Sequence, residues 1–356
     1  MIRIDKSNVI TDDIKRICSE TYDWHSLSNK TILITGASGF IGSYLVKTFL
    51  YANQRFDLSL TIICVVKNKK SLMERLDSCL KFSNLLVFEQ DMSLPLKKSF
   101  PSTDILIHAA SKASPKYYGI DPIGTLSANI SGTMNLLNFY QHNIEKFIYI
   151  SSGEVYGELA DKDSEIKEDT FGYLDPVNVR SCYGESKRMS ENICISFTHQ
   201  YGIDTRIVRP FHTYGPGLSS NDGRVFADFI HAAANGNDIC MTSDGSARRP
   251  FCYISDAVGG ILHVMFYGKQ GNAYNLANPA GEISIKELAK IVVDVRPELN
   301  INVVNAPQEN NYLKSPVSRQ IVNIEKLKLL GWHPKISVKD GFSRSIFSEV
   351  EALMFD

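Results

Sequence analysis

The residues with the clearest chemical potential are Tyr183 and Lys187, which stand four positions apart in the run YGESK. On a helix this spacing places both side chains on one face. A free tyrosine has a pKa of about 10 and is a poor base at neutral pH, but a neighbouring ammonium group stabilises the phenolate and lowers that pKa. The pair therefore predicts oxidation of a substrate alcohol: Tyr183 removes the hydroxyl proton while a hydride leaves for a nicotinamide. Both residues are also expected to contact that cofactor.

A glycine-rich turn supplies a second chemical signature. The run TGASGFIG at residues 35–42 directly follows a short β-branched stretch and opens a helix, with GxxGxxG rather than GxGxxG spacing. Glycines allow a tight turn and let the backbone approach a pyrophosphate, which then lies on the N-terminus of the helix. The residues expected to contact a dinucleotide here are Gly36, Ser38, Gly39, Phe40 and Ile41.

The end of the second predicted strand departs from the usual dinucleotide pattern. An acidic residue at that point normally holds the adenosine ribose hydroxyls, whereas here the strand runs into Lys67, Asn68, Lys69 and Lys70. Lysines suit a 2′-phosphate and hence NADP. The alternative is a solvated basic turn in which Asn68 contacts the ribose, so the residues alone leave both cofactors open.

The elements that must position these groups alternate from residue 31 onward, and the β-branched runs among them are typical of buried parallel strands. Strands are predicted at 31–34, 60–66, 85–88, 105–107, 147–151 and 205–211, and helices at 41–50, 122–142 and 182–201. This series predicts an α/β fold with a doubly wound parallel sheet of the Rossmann type. Ligands bind such sheets at the carboxyl ends of the strands. Ser152 and Glu154, just after the fifth strand, are therefore expected in the catalytic site.

Three regions are predicted along the chain. Residues 1–28 form an N-terminal extension with a short helix at 11–20. Residues 29–210 form the dinucleotide-binding domain, to which residues 250–276 return. Residues 211–249 and 277–356 build a smaller C-terminal substrate-binding lobe, because glycine and aspartate become common after Pro216.

Composition excludes several classes of protein. Of the 356 residues, 44% are hydrophobic and 22% charged, as in ordinary soluble globular proteins. A net charge of -1 gives no general attraction to nucleic acid or anionic membranes, and no segment reaches the roughly 20 apolar residues of a membrane helix. The seven cysteines include no CxxC pair, so we expect no metal site and no disulfide framework. These features predict a cytoplasmic enzyme.

These motifs together resemble the extended short-chain dehydrogenase/reductases, the NAD-dependent epimerase/dehydratase family. The family's TGxxGFIG motif is matched in full at 35–42, and HAA at 108–110 resembles the turn after strand four that passes the cofactor. Within the family the chain is similar to UDP-glucuronate decarboxylases over about residues 31–345. The runs RSCY at 180–183 and DGRV at 222–225 point to this branch.

The resemblance implies further contacts with the cofactor. Asp91 resembles the aspartate beside the adenine, and Met92, Ala109 and Ala110 are implied as neighbouring cofactor contacts. Because the resembled enzymes recycle NAD within one turnover, we expect NAD. NADP stays possible because of Lys67.

The resemblance also assigns roles around a nucleotide-sugar substrate. Ser152 is implied to complete a Ser–Tyr–Lys set by hydrogen-bonding the sugar oxygen. Arg249 is implied to bind the diphosphate, for which a bidentate guanidinium is well suited. Arg180 and Arg224 are implied to help hold the substrate. His212 stands where relatives carry Asn, and it is expected to donate to the diphosphate.

The resemblance implies an enzyme that acts through a 4-keto intermediate, most like UDP-glucuronate decarboxylase. Sugar 4,6-dehydratases carry an aspartate as the acid at the position of Gly153, and decarboxylases usually carry a serine there. Glu154 remains open between a base at C5, a carboxylate that orients the substrate and a plain hydrogen-bond acceptor. The alternatives are a 4-epimerase, an atypical 4,6-dehydratase of the dTDP-glucose type, and a catalytically silent dinucleotide sensor, against which the intact Ser152, Tyr183 and Lys187 argue.

The two long helices bear on the oligomeric state. The helices at 122–142 and 182–201 have apolar faces on both sides of their charged stripes. In the resembled family such a pair forms a four-helix dimer interface, which implies a homodimer. The other expected partner is the nucleotide sugar, with neither nucleic acid nor a membrane.

Overall fold

The computed structural model describes residues 4–305 and 317–354 and centres on one parallel sheet. The strands are β1 (Thr31–Thr35), β2 (Thr61–Val66), β3 (Leu85–Glu89), β4 (Ile105–His108), β5 (Lys146–Ile150), β6 (Glu165–Ile166), β7 (Thr205–Pro210), β8 (Thr213–Tyr214), β9 (Ile239–Met241), β10 (Arg248–Pro250), β11 (Cys252–Tyr253), β12 (Asn272–Leu276), β13 (Glu282–Ser284), β14 (Val303–Asn305) and β15 (Ile321–Val322). The helices are α1 (Asn8–Cys18), α2 (Phe40–Phe56), α3 (Lys69–Leu76), α4 (Lys116–Ile120), α5 (Pro122–Tyr140), α6 (Cys182–Tyr201), α7 (Val225–Ala234), α8 (Ile254–Tyr267), α9 (Ile285–Val293), α10 (Glu325–Lys328) and α11 (Val338–Leu353).

The central sheet has seven strands in the order β12-β7-β5-β4-β1-β2-β3, and neighbouring strands are parallel. The strand order runs outward in both directions from β1 and β4, and doubly wound sheets open their ligand crevice at such a reversal. β1, β4 and β5 are almost wholly buried, as expected for parallel strands covered on both faces. The predicted α/β doubly wound sheet is confirmed.

Two hydrophobic cores flank the sheet, because successive side chains of a strand point to opposite faces. Ile32 and Ile34 of β1 belong to the larger core, whereas Leu33 belongs to the smaller one. The smaller core also contains Leu136 of α5 and Ile193 of α6. The long helices α5 and α6 therefore cover one face of the sheet and pack side by side.

The largest errors in the predicted helix boundaries are at the end of α2 and the start of α1, and capping explains both. α2 continues six residues beyond the predicted end at Leu50 and stops before Asp57, which adopts the left-handed conformation with φ 52°. α1 begins at Asn8 rather than Thr11, because the Ser7 hydroxyl caps it by accepting from the backbone N–H of Ile10 at 3.4 Å. The prediction rested on Ile14 and Ile17 and overlooked Val9 and Ile10, which closely follow this serine cap.

The chain beyond β7 contributes both to the sheet and to a smaller layer. β12 pairs with β7 at the edge of the central sheet, and α8 packs against β7 on the way there. α7, α9 and α11 contact one another in the smaller layer, which also holds the short pairs β9–β14 and β10–β13. Among the helices of the described residues, none has the length and apolarity that crossing a bilayer requires.

The N-terminal helix α1 packs against α2, α8 and α11. Its fully buried Asp13 forms ion pairs with Arg16 at 2.6 Å and with Arg344 of α11 at 2.8 Å. The same carboxylate accepts a hydrogen bond from Tyr253 at 2.7 Å. The N-terminal segment thus connects elements that are more than 200 residues apart in the sequence.

Candidate active site

The glycine-rich turn lies against the end of β4. Gly36 has φ +66°, and a Cβ at this position would lie 2.7 Å from the backbone nitrogen of Ala110. Its amide donates to the carbonyl of Val65 at 3.0 Å, which ties the turn to the end of β2. Gly39 then caps α2, whose free amides face the crevice between β1 and β4. The turn approaches the end of β4 too closely for any residue but glycine at position 36, and the helix N-terminus that follows suits the pyrophosphate of a dinucleotide.

Tyr183 and Lys187 lie on the first two turns of α6, as their spacing predicts. The Lys187 ammonium is buried, donates to the carbonyl of Ile150 at 2.7 Å and lies 5.8 Å from the centre of the Tyr183 ring. Tyr183 hydrogen-bonds with Ser152. The three predicted residues therefore meet at the carboxyl end of β5, where a substrate hydroxyl can reach them.

The pKa values of this group differ from the prediction made on spacing alone. Burial raises the pKa of Tyr183 to about 12, although the hydrogen bond with Ser152 acts in the opposite direction. Burial also lowers the pKa of Lys187 to about 7, with the Glu191 carboxylate opposing that shift. The predicted depression of the Tyr183 pKa was therefore wrong for the protein alone. Desolvation of the buried phenol is the largest cause of the shift, and the charge of Glu154 acts in the same direction.

Glu154 is held by Arg180 in an ion pair with an N–O distance of 3.3 Å. The Arg180 guanidinium also lies 4.8 Å from the centre of the Tyr118 ring, and Tyr118 stacks on Tyr183 with ring centres 5.1 Å apart. These contacts form one layer across the top of Tyr183. Tyr118 is a site residue that the sequence analysis missed, because its role comes from stacking between α4 and α6 and leaves no trace in spacing.

Gly153 faces the ring of Phe211, which forms a wall of the site. A Cβ at Gly153 would lie 2.6 Å from two carbons of that ring, and Phe211 is itself buried. The site therefore has no space for an acidic side chain at residue 153 unless the ring moves. Sequence reasoning identified the glycine but missed Phe211, since the two residues are far apart in the chain.

Three of the predicted substrate-binding residues lie close together. Arg249 donates to the carbonyls of Val317 at 2.7 Å and Ser318 at 3.1 Å. His212 contacts Gln320 with 3.0 Å between its Nε2 and the amide oxygen. Burial, followed by the charges of Arg249 and Arg224, lowers the pKa of His212 to about 3. His212 is therefore neutral, and its Nε2–H donates to Gln320.

Arg224, the third of these residues, is oriented by Asp222 of the run DGRV at residues 222–225. Two of its nitrogens contact the two carboxylate oxygens of Asp222, at 2.5 and 2.9 Å. A nearby cavity of about 400 Å³ lies between residues 157–162 and 317–319. Because Val317 and Ser318 line that cavity and also contact Arg249, the cavity adjoins the predicted substrate residues.

The remaining predicted cofactor residues lie around the ends of β2 to β4. The Asn68 side chain caps α3 by accepting from the backbone N–H of Lys70 at 2.8 Å, which leaves its amide nitrogen available as a donor. Asp91 accepts from Ser93 and forms an ion pair with Lys67 at 2.6 Å. Met92 is buried beneath α5.

A family model described as "NAD dependent epimerase/dehydratase family" matches residues 32–277. The chain belongs to this family. The match covers all seven strands of the central sheet together with Ser152, Tyr183 and Lys187. The predictions of this family and of an enzyme are thereby confirmed, whereas the roles of individual site residues remain predictions.

Relatives within the family are similar to this chain over most of its length. UDP-glucuronic acid decarboxylase 6 of Arabidopsis thaliana is 33% identical, over 88% of this chain and 87% of its own length. UDP-glucuronic acid decarboxylase 1 of Xenopus tropicalis is 32% identical, over 89% of this chain and 71% of its own length.

The structure of an epimerase from Methanothermobacter thermautotrophicus matches with a TM-score of 0.80 at 22% identity, covering 98% of this chain and 97% of that one. UDP-glucuronic acid 4-epimerase from Bacillus cereus, with NAD and UDP-glucuronic acid, matches with a TM-score of 0.74 at 24% identity, covering 91% and 99%. At these identities the solved structures establish a shared fold.

Proposed function

We propose that this chain is an NAD-dependent decarboxylase of a nucleotide-linked uronic acid, such as UDP-glucuronate. The observation that carries the proposal is the contact of Gly153 with the ring of Phe211, which leaves no space for the acidic side chain that dehydratases carry at this position. Dehydration requires such an acid to protonate the departing hydroxyl. Loss of CO2 from a β-keto acid requires none. The relatives that are 32–33% identical over most of the chain are named for the same reaction.

The chain's own groups account for the proton movements. Tyr183 takes the proton of the C4 hydroxyl, and Ser152 hydrogen-bonds the same oxygen and passes the proton across. NAD, which the glycine-rich turn at residues 36–41 would hold, would supply the acceptor and later donor of the C4 hydride. Lys187, fixed on the carbonyl of Ile150, places its ammonium beneath the Tyr183 ring and favours the phenolate whenever Lys187 is protonated.

The charged residues above Tyr183 hold the substrate. Arg249 and Arg224 are two cations suited to the diphosphate, whereas the single N–H of neutral His212 donates to Gln320 and is not available to it. Glu154 is neutralised by Arg180, so we assign it to orienting the sugar hydroxyls rather than to removing a proton at C5. A paired carboxylate is a weaker base than a free one. The 4-epimerase and the atypical 4,6-dehydratase are kept as outcomes of the test below.

The finer details of cofactor and assembly are part of the same proposal. We infer NAD rather than NADP, supported by neighbours in the fold that hold NAD. We also infer a homodimer formed through α5 and α6, supported by the exposed apolar side chains Ile123, Met189 and Ile195 on these helices. Unpartnered apolar groups on adjacent helices are typical of a helix-bundle interface.

Mass spectrometry of the products tests the proposal. The full chain with NAD is incubated with a panel of nucleotide sugars that includes UDP-glucuronate and UDP-glucose. Loss of CO2 from a uronic acid is expected. Loss of water would overturn it in favour of the dehydratase, and a changed retention time at unchanged mass would overturn it in favour of the 4-epimerase. Binding of NAD without turnover of any panel member would favour the silent sensor.

A further inference from the structure

We propose that the ion pair between Lys67 and Asp91 replaces the missing acidic residue at the end of β2, so that Asp91 sets the preference for NAD over NADP. The inference rests on the proposed NAD dependence and adds the residues that determine it. It concerns selection between two cofactors that differ by a single 2′-phosphate.

The geometry places both residues at one edge of the sheet. Lys67 follows the last residue of β2, and Asp91 comes two residues after the end of β3. Because β2 and β3 are parallel, with Val66 opposite Glu89, both side chains reach the carboxyl end of the sheet. The Lys67 ammonium lies 2.6 Å from the Asp91 carboxylate. In dinucleotide-binding folds the ribose lies at the end of the second strand.

Asp91 is the fixed member of the pair. Its side chain is 25% exposed against 70% for Lys67, and its other oxygen accepts from the backbone N–H and hydroxyl of Ser93 at 3.0 and 2.7 Å. Partial burial alone would raise the pKa of Asp91, but the hydrogen bonds from Lys67 and Ser93 lower it to about 2. The carboxylate is therefore ionised at neutral pH, and its ion pair holds Lys67.

The charges of the residues that line the cavity at this edge cancel, and such a lining suits a neutral ribose hydroxyl better than a phosphate. A cavity of about 260 Å³ at this edge is lined by Lys67, Glu89, Gln90, Asp91, Leu94, Pro95 and Lys97. The ammonium groups of Lys67 and Lys97 in this lining are matched by the carboxylates of Glu89 and Asp91, so a 2′-phosphate dianion meets no excess of positive charge within the lining itself. A neutral 2′-hydroxyl loses nothing by this balance, since it carries no charge and can accept from Lys67. The lysine that suggested NADP is thus occupied by its neighbour.

The critical substitution is Asp91→Asn. The amide oxygen of the substituted side chain can still accept from Ser93, while the negative charge is lost and Lys67 becomes available for a charge-assisted bond to a phosphate. We expect the ratio of the NADP to the NAD dissociation constant to fall at least tenfold. The ratio is the relevant quantity, because any lost contact with the shared adenine weakens both cofactors alike.

Isothermal titration of the full chain with NAD and with NADP measures this ratio directly. Adding Lys67→Gln to Asp91→Asn should remove the gain, because the phosphate then has no released ammonium to bind. Lys67→Gln alone should raise the ratio at least threefold, since Asp91 is left uncompensated beside the phosphate. This single variant also tests the inference if Asp91→Asn does not fold.

Glu89→Gln is the matched control, since it removes one negative charge from the same cavity without freeing Lys67. We expect it to change the ratio less than threefold. An equal tenfold effect in this control, or an unchanged ratio in Asp91→Asn, would overturn the inference. Failure of the unsubstituted chain to bind NAD at all would instead overturn the proposed function, so the two failures are distinguishable.

Discussion

Tyr183 is the side chain on which the proposed chemistry depends most, since its hydroxyl is the group that exchanges a proton with the substrate. Tyr183→Phe should lower kcat about 10³-fold, within the range for loss of a general base, while the stacked ring on Tyr118 is retained. Turnover and NAD binding are measured on the same preparation, and NAD binding is expected to be unchanged within about threefold.

Tyr118→Phe is the matched control for that variant. It removes a hydroxyl that donates to the carbonyl of Ala113 at 2.9 Å and preserves the same pair of stacked rings. We expect a loss of less than about tenfold in kcat. If both variants lost activity equally, the packing of the two rings rather than the acid–base chemistry of Tyr183 would be responsible.

His212 is expected to contribute to the pH dependence of the protein's folding stability. Its pKa is about 3 in the folded protein and about 6.5 in an unfolded chain, so between these values only the unfolded state binds the proton. Stability therefore rises with pH in this window and falls on acidification from pH 7.5 to 5. Because His212 is only partly buried, we assign it about 1–2 kcal/mol of that fall.

Urea unfolding at pH 7.5 and pH 5 measures this contribution. The fall in the free energy of unfolding should be smaller in His212→Asn by about 1–2 kcal/mol. The pKa of His108 is likewise lowered to about 3, by burial and then by Lys187. The part of the fall in stability that comes from His108 should therefore remain in His212→Asn. The exposed His142→Asn serves as control. An identical fall in His212→Asn and the unsubstituted protein would contradict the prediction.

At the scale of elements, α1 stabilises the protein through one buried carboxylate. Asp13 is fully buried between Arg16 and Arg344, whose side chains are each 29% exposed. Removing one member of a buried ion pair costs about 3–5 kcal/mol, because its partners are left uncompensated. Because both arginines are partly exposed, we expect Asp13→Asn to lower the free energy of unfolding by about 3 kcal/mol, near the lower end of this range.

Chemical denaturation compares this variant with Asp12→Asn on the same helix. Asp12 is exposed and lies 3.6 Å from Lys15, so its loss should cost less than about 1 kcal/mol. If the two variants lost similar amounts of the free energy of unfolding, the buried ion pairs of Asp13 would add little to the stability that the apolar face of α1 provides. The comparison also tests whether the N-terminal segment is an essential part of the folded unit.

At the scale of the whole molecule, the proposed homodimer predicts a particle of twice the chain mass. A glutamate at Met189 of α6, which is 50% exposed, places an uncompensated charge in the proposed interface. Light scattering at micromolar concentration should show a dimer for the unsubstituted chain and a monomer for Met189→Glu. Leu329→Glu changes a residue that is 86% exposed outside α5 and α6, and should stay dimeric. A monomeric unsubstituted chain would contradict the proposal.

Local sequence determined the fold class and the candidate catalytic residues. The buried runs of β1, β2, β4 and β5, the glycine turn and the four-residue spacing of Tyr183 and Lys187 are short-range features. Their physical causes, side-chain alternation, backbone freedom and helical periodicity, act within a few residues. Helix ends were less predictable, because a single cap such as Ser7 or Asp57 decides them.

The tertiary structure decided the chemistry of those residues. Only packing brings Phe211 onto Gly153, Asp91 onto Lys67 and Arg180 onto Glu154. Burial likewise reverses the expected direction of the Tyr183 pKa. These effects depend on which groups lose water and which charges meet across dozens of residues, and both quantities are set when the chain folds.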